Sequence, residues 1–236
     1  SDILPDHFRL DEEALWFDKL TERRDGESDV QPQRICSPLR VTAITCDSHD
    51  GSYGRLLEWH TTTGQSRRWA MPMAMLSGNG EELRRILLEN GLTYISTRPA
   101  LRSLLCEYIS RSLPGRRVTC VEKTGWHCGV YVLPDEVIGP DGNNVILQGS
   151  HYLTGGFAQG GTLAEWQEQV AALCAGNSRL VFAVCCALAA PLLRLTGTGG
   201  GGFHLRGEST DGKTTVMKVA ASVCGGTDYW HSWRAT

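Results

Sequence analysis

Residues 207–214 read GESTDGKT, in which a lysine and a threonine directly follow a glycine and another glycine opens the segment. Glycines let the backbone turn tightly, so successive N–H groups can approach the oxygen atoms of a phosphate. In this spacing Lys213 reaches the β- and γ-phosphates of a nucleotide, and Thr214 offers its hydroxyl to Mg²⁺. The segment therefore predicts a phosphate-binding loop of the Walker A type, with ATP and Mg²⁺ as its ligands.

The sequence on either side of this loop fits the same interpretation. Residues 203–205 are apolar enough for a short strand, and the spacing of TTVMKVAASV predicts a helix that begins at Lys213. Strand, loop and helix in this order are what the motif requires. Asp211 is unusual for its charge near phosphates, and we expect its carboxylate to point outward. The predicted nucleotide-binding residues are Gly207, Glu208, Ser209, Thr210, Asp211, Gly212, Lys213, Thr214 and Thr215.

A phosphate-binding loop predicts a ligand rather than an activity. Hydrolysis also needs an acidic residue on a later strand, and often an arginine from a neighbouring subunit. After Lys213 the sequence offers one acidic residue, Asp228, and its GGTDYW surroundings are typical of a solvated loop. We therefore expect this chain to bind nucleotide without turning it over, with the rest of the motor beyond residue 236.

Composition is that of an ordinary globular protein with room for a sizeable core. The 236 residues are 41% hydrophobic and 21% charged, with a formal net charge of −3 that neither indicates nor excludes nucleic acid. Nine cysteines without a CxxC pair favour a reducing compartment, and no apolar signal segment precedes them. The apolar run 180–193 contains Pro191 and is shorter than the roughly 20 residues of a bilayer span. A cytoplasmic protein without a membrane segment is the expectation.

The coarse pattern predicts an α+β protein in two parts. Residues 1–155 are read as a β-rich amino-terminal domain with two helices, including a hairpin in RLLEWHTTTGQSRRWAMPMAML and three short strands in 116–149. Residues 156–236 are read as a helical lead-in followed by the first strand, P-loop and helix of an incomplete α/β ATPase domain. Thr162 and Glu165 fit a capping box for a helix to about Ala175, and Ser178 is the expected cap of the next helix.

A cluster of basic residues in 98–123 is the candidate nucleic-acid contact. Arg116 and Arg117 follow a Pro-Gly turn that presents them freely, and neutralised phosphates supply most non-specific affinity. The competing interpretation is a solvated helix face followed by a basic turn. The basic residues of this cluster are Arg98, Arg102, Arg111, Arg116, Arg117 and Lys123.

Several long runs resemble one protein family. The runs TLAEWQEQVAALCAGNSRLVFAVCCALAAPLLRL, GGGGFHLRGESTDGKTTVMKVAASVCGG and YWHSWRAT resemble domain of unknown function 927 (DUF927), as do KTGWHCGVYVLPDEVIG and ICSPLRVTAITCD upstream. The resemblance extends from about residue 8 to residue 236. It implies a helicase-like P-loop ATPase of phages, plasmids and other mobile elements, with active members similar to hexameric replication helicases.

By motif matching, the resemblance gives the nucleotide-binding roles to Gly207, Gly212, Lys213 and Thr214, and implies a longer parent that oligomerises and moves on DNA. Members of the family continue into an acidic Walker B strand, which this sequence does not reach. Two alternatives remain open. In the first, the chain is a non-enzymatic interaction module, a truncated helicase derivative that binds a host or defence protein, for which the acidic segment 1–30 is a candidate surface. In the second, the chain is a nucleotide-gated regulator.

Overall fold

The computed structural model of the chain describes residues 4–22, 28–148, 156–208, 211–226 and 229–230. These residues form a mixed α+β structure of sheets and helices. The chain divides into two compact units. The first unit comprises Ser1–Val121 and Asn143–Gln148, and the second comprises Glu122–Gly142 and Gly149–Thr236. The expected domain boundary at residue 155 stays a prediction.

The described residues contain strands and helices with the following bounds. The strands are β1 (Phe8–Leu10), β2 (Leu15–Glu22), β3 (Ser28–Cys36), β4 (Arg40–Asp47), β5 (Gly54–His60), β6 (Ser66–Pro72), β7 (Arg117–Val121), β8 (Gly125–His127), β9 (Val130–Val132), β10 (Val137–Ile138) and β11 (Val145–Leu147). The α-helices are α1 (Glu81–Glu89), α2 (Pro99–Arg111), α3 (Leu163–Trp166), α4 (Ser178–Ala189) and α5 (Lys213–Ala221).

Two sheets make up the first unit. Strands β1, β2 and β3 form an antiparallel sheet in chain order. The second sheet has the order β11-β7-β4-β5-β6, in which β4, β5 and β6 are antiparallel neighbours and β7 runs parallel to both β4 and β11. Helices α1 and α2 occupy the connection between β6 and β7, which is long enough for a parallel crossover.

The main core of the first unit joins both sheets to both helices. Leu83 and Leu87 are fully buried on one face of α1, and Leu105 is fully buried on α2. They share a cluster with Leu57 of β5 and Ile35 of β3. The i, i+4 spacing places both α1 leucines on one face, so the amphipathic pattern of the sequence fixes how this helix packs.

A second, smaller cluster lies on the other face of the five-stranded sheet. It takes one residue from each strand: Ala43, Leu56, Ala70, Val118 and Ile146. The Gln148 amide donates to the Ala70 carbonyl at 2.7 Å, linking the end of β11 to β6 at the opposite edge. In a flat sheet with strands about 4.8 Å apart, the two edge strands of five would be too far apart for this hydrogen bond. The sheet is therefore curled, and its two edges approach each other.

Arg55 is a buried cation that closes the carboxyl end of α2. Arg55 lies in β5 and is 7% exposed. The guanidinium donates from Nε to the carbonyl of Ser112 at 2.9 Å and from Nη1 to that of Gly54 at 3.1 Å. The last carbonyls of a helix have no partner within the helix, so Arg55 supplies donors where the backbone offers none.

Most expected elements of the first unit are confirmed. The hairpin is β5–β6, with Gly64 in the left-handed region at φ 78°, and both helices are present. One prediction was wrong. The described part of region 116–149 has five short strands instead of three, since tight turns at Gly129 and Gly139 divide it further. The segment SDVQPQ belongs to β3, because β2 pairs with it along its whole length.

The described residues of the second unit contain a small sheet and three α-helices. Strands β8, β9 and β10 form an antiparallel sheet of order β10-β9-β8. The Trp126 indole of β8 donates to the Pro191 carbonyl at 2.7 Å, which ties this sheet to the turn after α4. Across the residues that the structure describes, no helix is both long and apolar enough to cross a membrane.

Replacing Arg55 by methionine should destabilise the first unit. The substitution keeps apolar volume but leaves the Ser112 carbonyl buried without its donor, so we expect a loss of about 2–3 kcal/mol in the free energy of unfolding. The free energy of unfolding is measured by urea titration, with circular dichroism as the signal. The matched control is Arg67→Met, an exposed residue of β6, which should stay within about 0.5 kcal/mol of the parent. Equal losses for both variants would contradict the role given to Arg55.

Candidate nucleotide-binding site

The lead-in to the loop is positioned by two helix caps. Thr162 Oγ1 accepts from the Glu165 N–H at 3.2 Å and the Glu165 carboxylate accepts from the Thr162 N–H at 2.8 Å, which confirms the capping box. The Thr162 hydroxyl also donates to the Glu165 carboxylate at 2.9 Å, and this bond, together with the one from the Thr162 N–H, holds the pKa of Glu165 below its usual value. The helix continues past α3 as π and 3₁₀ turns to Cys174. The cap of α4 is Asn177 rather than the expected Ser178, because the Asn177 side chain reaches the N–H groups of the first turn.

The segment before the loop differs from its expectation. Residues 203–205 do not form a strand, and no strand of the described chain lies beside them as a hydrogen-bonding partner. A strand is stable only when its backbone groups are paired, so an apolar sequence alone was insufficient. The Phe203 ring instead meets the ring of Phe182 in α4 edge to face at 4.7 Å, while 71% of Phe203 stays exposed.

Two backbone carbonyls of the loop accept hydrogen bonds from its own lysine. Lys213 is the first residue of α5, and its ammonium donates to the carbonyl of Gly207 at 2.8 Å and to that of Glu208. Gly212 lies immediately before the helix with φ 79° and ψ 11°, a left-handed conformation that suits glycine. The expected helix start is confirmed, and the residues at the two ends of the motif are brought together. Ser209 and Thr210 lie outside the described residues.

The first turn of α5 presents the groups that phosphate binding needs. Thr214 and Thr215 are exposed there, directly after the half-buried Lys213. The first N–H groups of a helix have no acceptor within it, and the helix dipole adds partial positive charge at the same end. A phosphate oxygen placed there would meet backbone donors, the ammonium and the Thr214 hydroxyl from one short stretch of chain.

Asp211 makes a contact that the sequence did not indicate. Its Oδ2 accepts the N–H of Glu208 at 2.7 Å, so the carboxylate turns back towards the start of the loop. The sequence signal for this contact is weak, because nothing in the spacing of an aspartate and a glutamate distinguishes a loop hydrogen bond from two solvated acids. Asp228 falls outside the described residues.

Helices α4 and α5 pack against each other beside the loop. The indole of Trp166 in α3 donates to the Ser222 hydroxyl just after α5 at 3.0 Å, so the lead-in also holds the far end of the helix. Between α4 and α5 lies a cavity of about 530 Å³ whose lining includes Phe182 and Met217. Arg179 is the charged side chain in this lining, so the cavity is mainly apolar and does not provide the phosphate ligands.

The five arginines of the basic cluster, including Arg116 and Arg117, lie in the first unit, and Lys123 lies in the second. Arg117 begins β7 and is exposed, and Arg116 precedes it with its guanidinium donating to the carbonyl of Asn143. The Arg116 backbone carbonyl also accepts from the N–H of Ile44 at 2.9 Å. The backbone at this position is therefore held by the sheet, and Arg117 is the freer of the two side chains.

The described residues contain no group of three or more histidine, cysteine, aspartate or glutamate side chains arranged to hold a metal ion. His127, which the sequence places next to Cys128, lies in β8 with its Nε2 2.8 Å from the carbonyl of Lys123. This contact gives His127 a structural partner in its own hairpin.

Comparison with known proteins places the chain in a family and gives its fold a precedent. The model of the family described as "Domain of unknown function (DUF927)" matches residues 8–236, so the chain belongs to this family. Among solved structures it is similar to "SCCmec type IV Cch - active helicase", with a TM-score of 0.66 and 19% sequence identity. The match covers 98% of this chain and 42% of that one, so this chain spans less than half of the helicase chain. At this identity the likeness concerns the fold. A search of curated proteins found no match.

The left-handed glycine before α5 gives a test of the loop geometry. Gly212→Ala should lower the free energy of unfolding by about 1–2 kcal/mol, because an alanine Cβ is strained at this φ. The matched control is Gly201→Ala in the same unit. An added Cβ has open space at both positions, and only Gly212 has a positive φ, so the pair isolates the backbone conformation. Thermal unfolding of both variants measures the difference, and equal stabilities would contradict the assigned conformation.

Proposed function

We propose that this chain carries the ATP-binding loop of a DNA-translocating or helicase-like ATPase of a mobile element. Gly207, Gly212 and Lys213 shape the loop, and Thr214 holds Mg²⁺ through the bound nucleotide. The observation that carries the proposal is the position of the Lys213 ammonium, held by loop carbonyls at the start of α5. The remaining residues of the proposed site are Glu208, Ser209, Thr210, Asp211 and Thr215.

Electrostatics supports a triphosphate bound with Mg²⁺ as the ligand. An ammonium has three protons, and Lys213 donates to two carbonyls, which leaves one direction for a phosphate oxygen. The helix N-terminus and the lysine together offset only part of the charge of a triphosphate, so the metal ion supplies the rest. Backbone N–H groups then fix the position of the phosphate, and the Thr214 hydroxyl fixes that of the metal.

Turnover is proposed for the longer protein rather than for this chain alone. Hydrolysis needs a second acidic group on a separate strand and an arginine from a neighbouring subunit. The helicase with the similar fold is more than twice as long as the matched part of its chain. We therefore propose a homo-oligomeric parent in which this chain supplies the nucleotide-binding half of the active site.

DNA is the proposed macromolecular ligand, contacted by the Arg116–Arg117 pair. Arg117 is exposed at the start of β7 and the strand holds its backbone in place. A charged side chain on a fixed backbone suits contact with phosphates at little entropic cost. The solved protein of similar fold is described as an active helicase, which supports DNA as the partner class.

A non-enzymatic interaction module is the second candidate. The second unit leaves large apolar side chains exposed, including Leu173 at 76% and Phe203 at 71%. Exposed apolar groups of this size favour contact with another protein surface. This candidate replaces the first if the loop binds no nucleotide.

Loss of the lysine should abolish nucleotide binding. Lys213→Ala removes the cation that meets the phosphates, so we expect the dissociation constant for a fluorescent ATP analogue with Mg²⁺ to rise at least about 30-fold. The matched control is Lys218→Ala, which removes the same charge from the same helix and should change affinity less than about twofold. Equal and negligible binding by the parent chain and both variants would reject nucleotide binding and favour the interaction module.

The arginine pair predicts salt-dependent retention of single-stranded DNA. Arg117→Ala should weaken binding and lower the slope of log affinity against log salt by about 0.7, the value for one lost phosphate contact. Arg116→Ala should have the smaller effect, since Arg116 is already bonded to the Asn143 carbonyl. The control is Arg85→Ala, whose guanidinium is held by Glu82 and Glu89. Absence of retention by the parent chain at low salt would remove this proposal.

A further inference from the structure

We propose that Asp211 is a positioning residue that holds the loop in its phosphate-accepting shape, rather than an acid that weakens binding. The proposal rests on the nucleotide-binding function proposed above. A carboxylate inside a phosphate-binding loop is expected to repel the ligand. The contacts of Asp211 indicate the opposite effect, because its carboxylate binds the backbone N–H of Glu208, whose carbonyl in turn accepts from Lys213.

The first contact is a hydrogen bond between two residues of the loop, Asp211 and Glu208. Oδ2 of Asp211 accepts the N–H of Glu208 at 2.7 Å, a hydrogen bond to a charged acceptor and therefore a strong one. It joins the last residue before Gly212 to the second residue of the motif.

The second contact explains why the motif begins with glycine in this chain. A Cβ built on Gly207 would lie 2.7 Å from Oδ2 of Asp211, closer than real Cβ atoms approach other atoms. The φ of Gly207 does not lie in the left-handed region, so its backbone conformation is open to other residues. The carboxylate that packs against Gly207 therefore favours glycine, because a Cβ there would displace Oδ2 from the N–H of Glu208.

The third observation is that the carboxylate and the ammonium bind different groups of the loop. Lys213 donates to the carbonyls of Gly207 and Glu208, and among the described residues Asp211 accepts from the N–H of Glu208. Glu208 is thus held through its N–H by Asp211 and through its C=O by Lys213. The lysine keeps its remaining proton for a phosphate, and the aspartate does not neutralise it.

These contacts fix the backbone of Gly207 and Glu208 relative to Asp211 and Lys213 before a ligand binds. A loop that must be ordered by its ligand loses affinity, because immobilising each residue has an entropic cost. Removal of the Asp211 contact should therefore weaken nucleotide binding. If the carboxylate acted mainly by repulsion, its removal would instead strengthen binding, so the sign of the change separates the two roles.

The experiment compares single variants of the 236-residue chain by titration with a fluorescent ATP analogue and Mg²⁺. Asp211→Ala removes the acceptor and should raise the dissociation constant about tenfold. Asp211→Asn removes the charge but keeps an oxygen that accepts the same N–H, so it should stay within about threefold of the parent. Glu168→Gln is the matched control, since it removes one negative charge from an exposed residue of the same unit outside the loop, and it should leave the dissociation constant unchanged within about twofold.

A double-mutant cycle tests the contact with Gly207 directly. Gly207→Ala should weaken binding in the parent chain, where its Cβ meets the carboxylate, and should have little effect when combined with Asp211→Ala. This coupling is not expected from a general loss of stability, because two independent destabilising changes add. Thermal unfolding of each variant verifies that the chain is folded during the titration.

Each outcome decides something definite. Weaker binding by Asp211→Ala, recovery by Asp211→Asn and a coupled cycle support the positioning role. Binding by Asp211→Ala that equals or exceeds that of the parent overturns it, as do additive effects in the cycle. Lys213→Ala distinguishes this failure from failure of the proposed function: if the parent chain binds and Lys213→Ala does not, the site exists whatever Asp211 does.

Discussion

The candidate site depends on a single cation held by backbone carbonyls. The Lys213 ammonium lies against the carbonyl oxygens of Gly207 and Glu208, so the first two residues of the loop and the first residue of α5 form one local structure. Gly212 makes this possible, because its left-handed backbone turns the chain into the helix at the right point. Without that turn the lysine would extend from the helix into solvent, and the open N–H groups of α5 would lack a neighbouring charge.

The same physical constraint appears in the first unit with a different cation. Arg55 is buried in β5 and donates to the carbonyl of Ser112 beyond α2. In both units a long basic side chain satisfies main-chain oxygens that lie outside the hydrogen-bonding pattern of helices and strands. The difference is exposure. Arg55 is buried and serves the fold, whereas Lys213 is only half-buried and keeps a proton accessible to a ligand.

Local patterns in the sequence were sufficient where neighbouring residues decide the structure. The β5–β6 hairpin and the start of α5 follow from the turn at Gly64 and from Gly212, and both were predicted. The sequence failed where the structure depends on a distant partner. Residues 203–205 have the composition of a strand, but no strand lies beside them among the described residues. The hydrogen bond between Asp211 and Glu208 depends on how closely the two residues approach in space. The identity of the side chains alone predicts neither the missing strand partner nor this hydrogen bond.

Nucleotide binding and nucleotide turnover require different amounts of structure. The candidate binding groups, from Gly207 to Thr214, come from one short stretch, and the described ones are held by a left-handed glycine, a helix N-terminus and two hydrogen-bonded side chains. In a P-loop ATPase the catalytic groups approach the γ-phosphate from other strands and from another subunit, and their positions depend on long-range packing. This chain matches 42% of the helicase chain at 19% identity, and the matched parts are similar in fold. A loop of this kind can therefore form from local contacts, whereas turnover needs groups from distant parts of a protein.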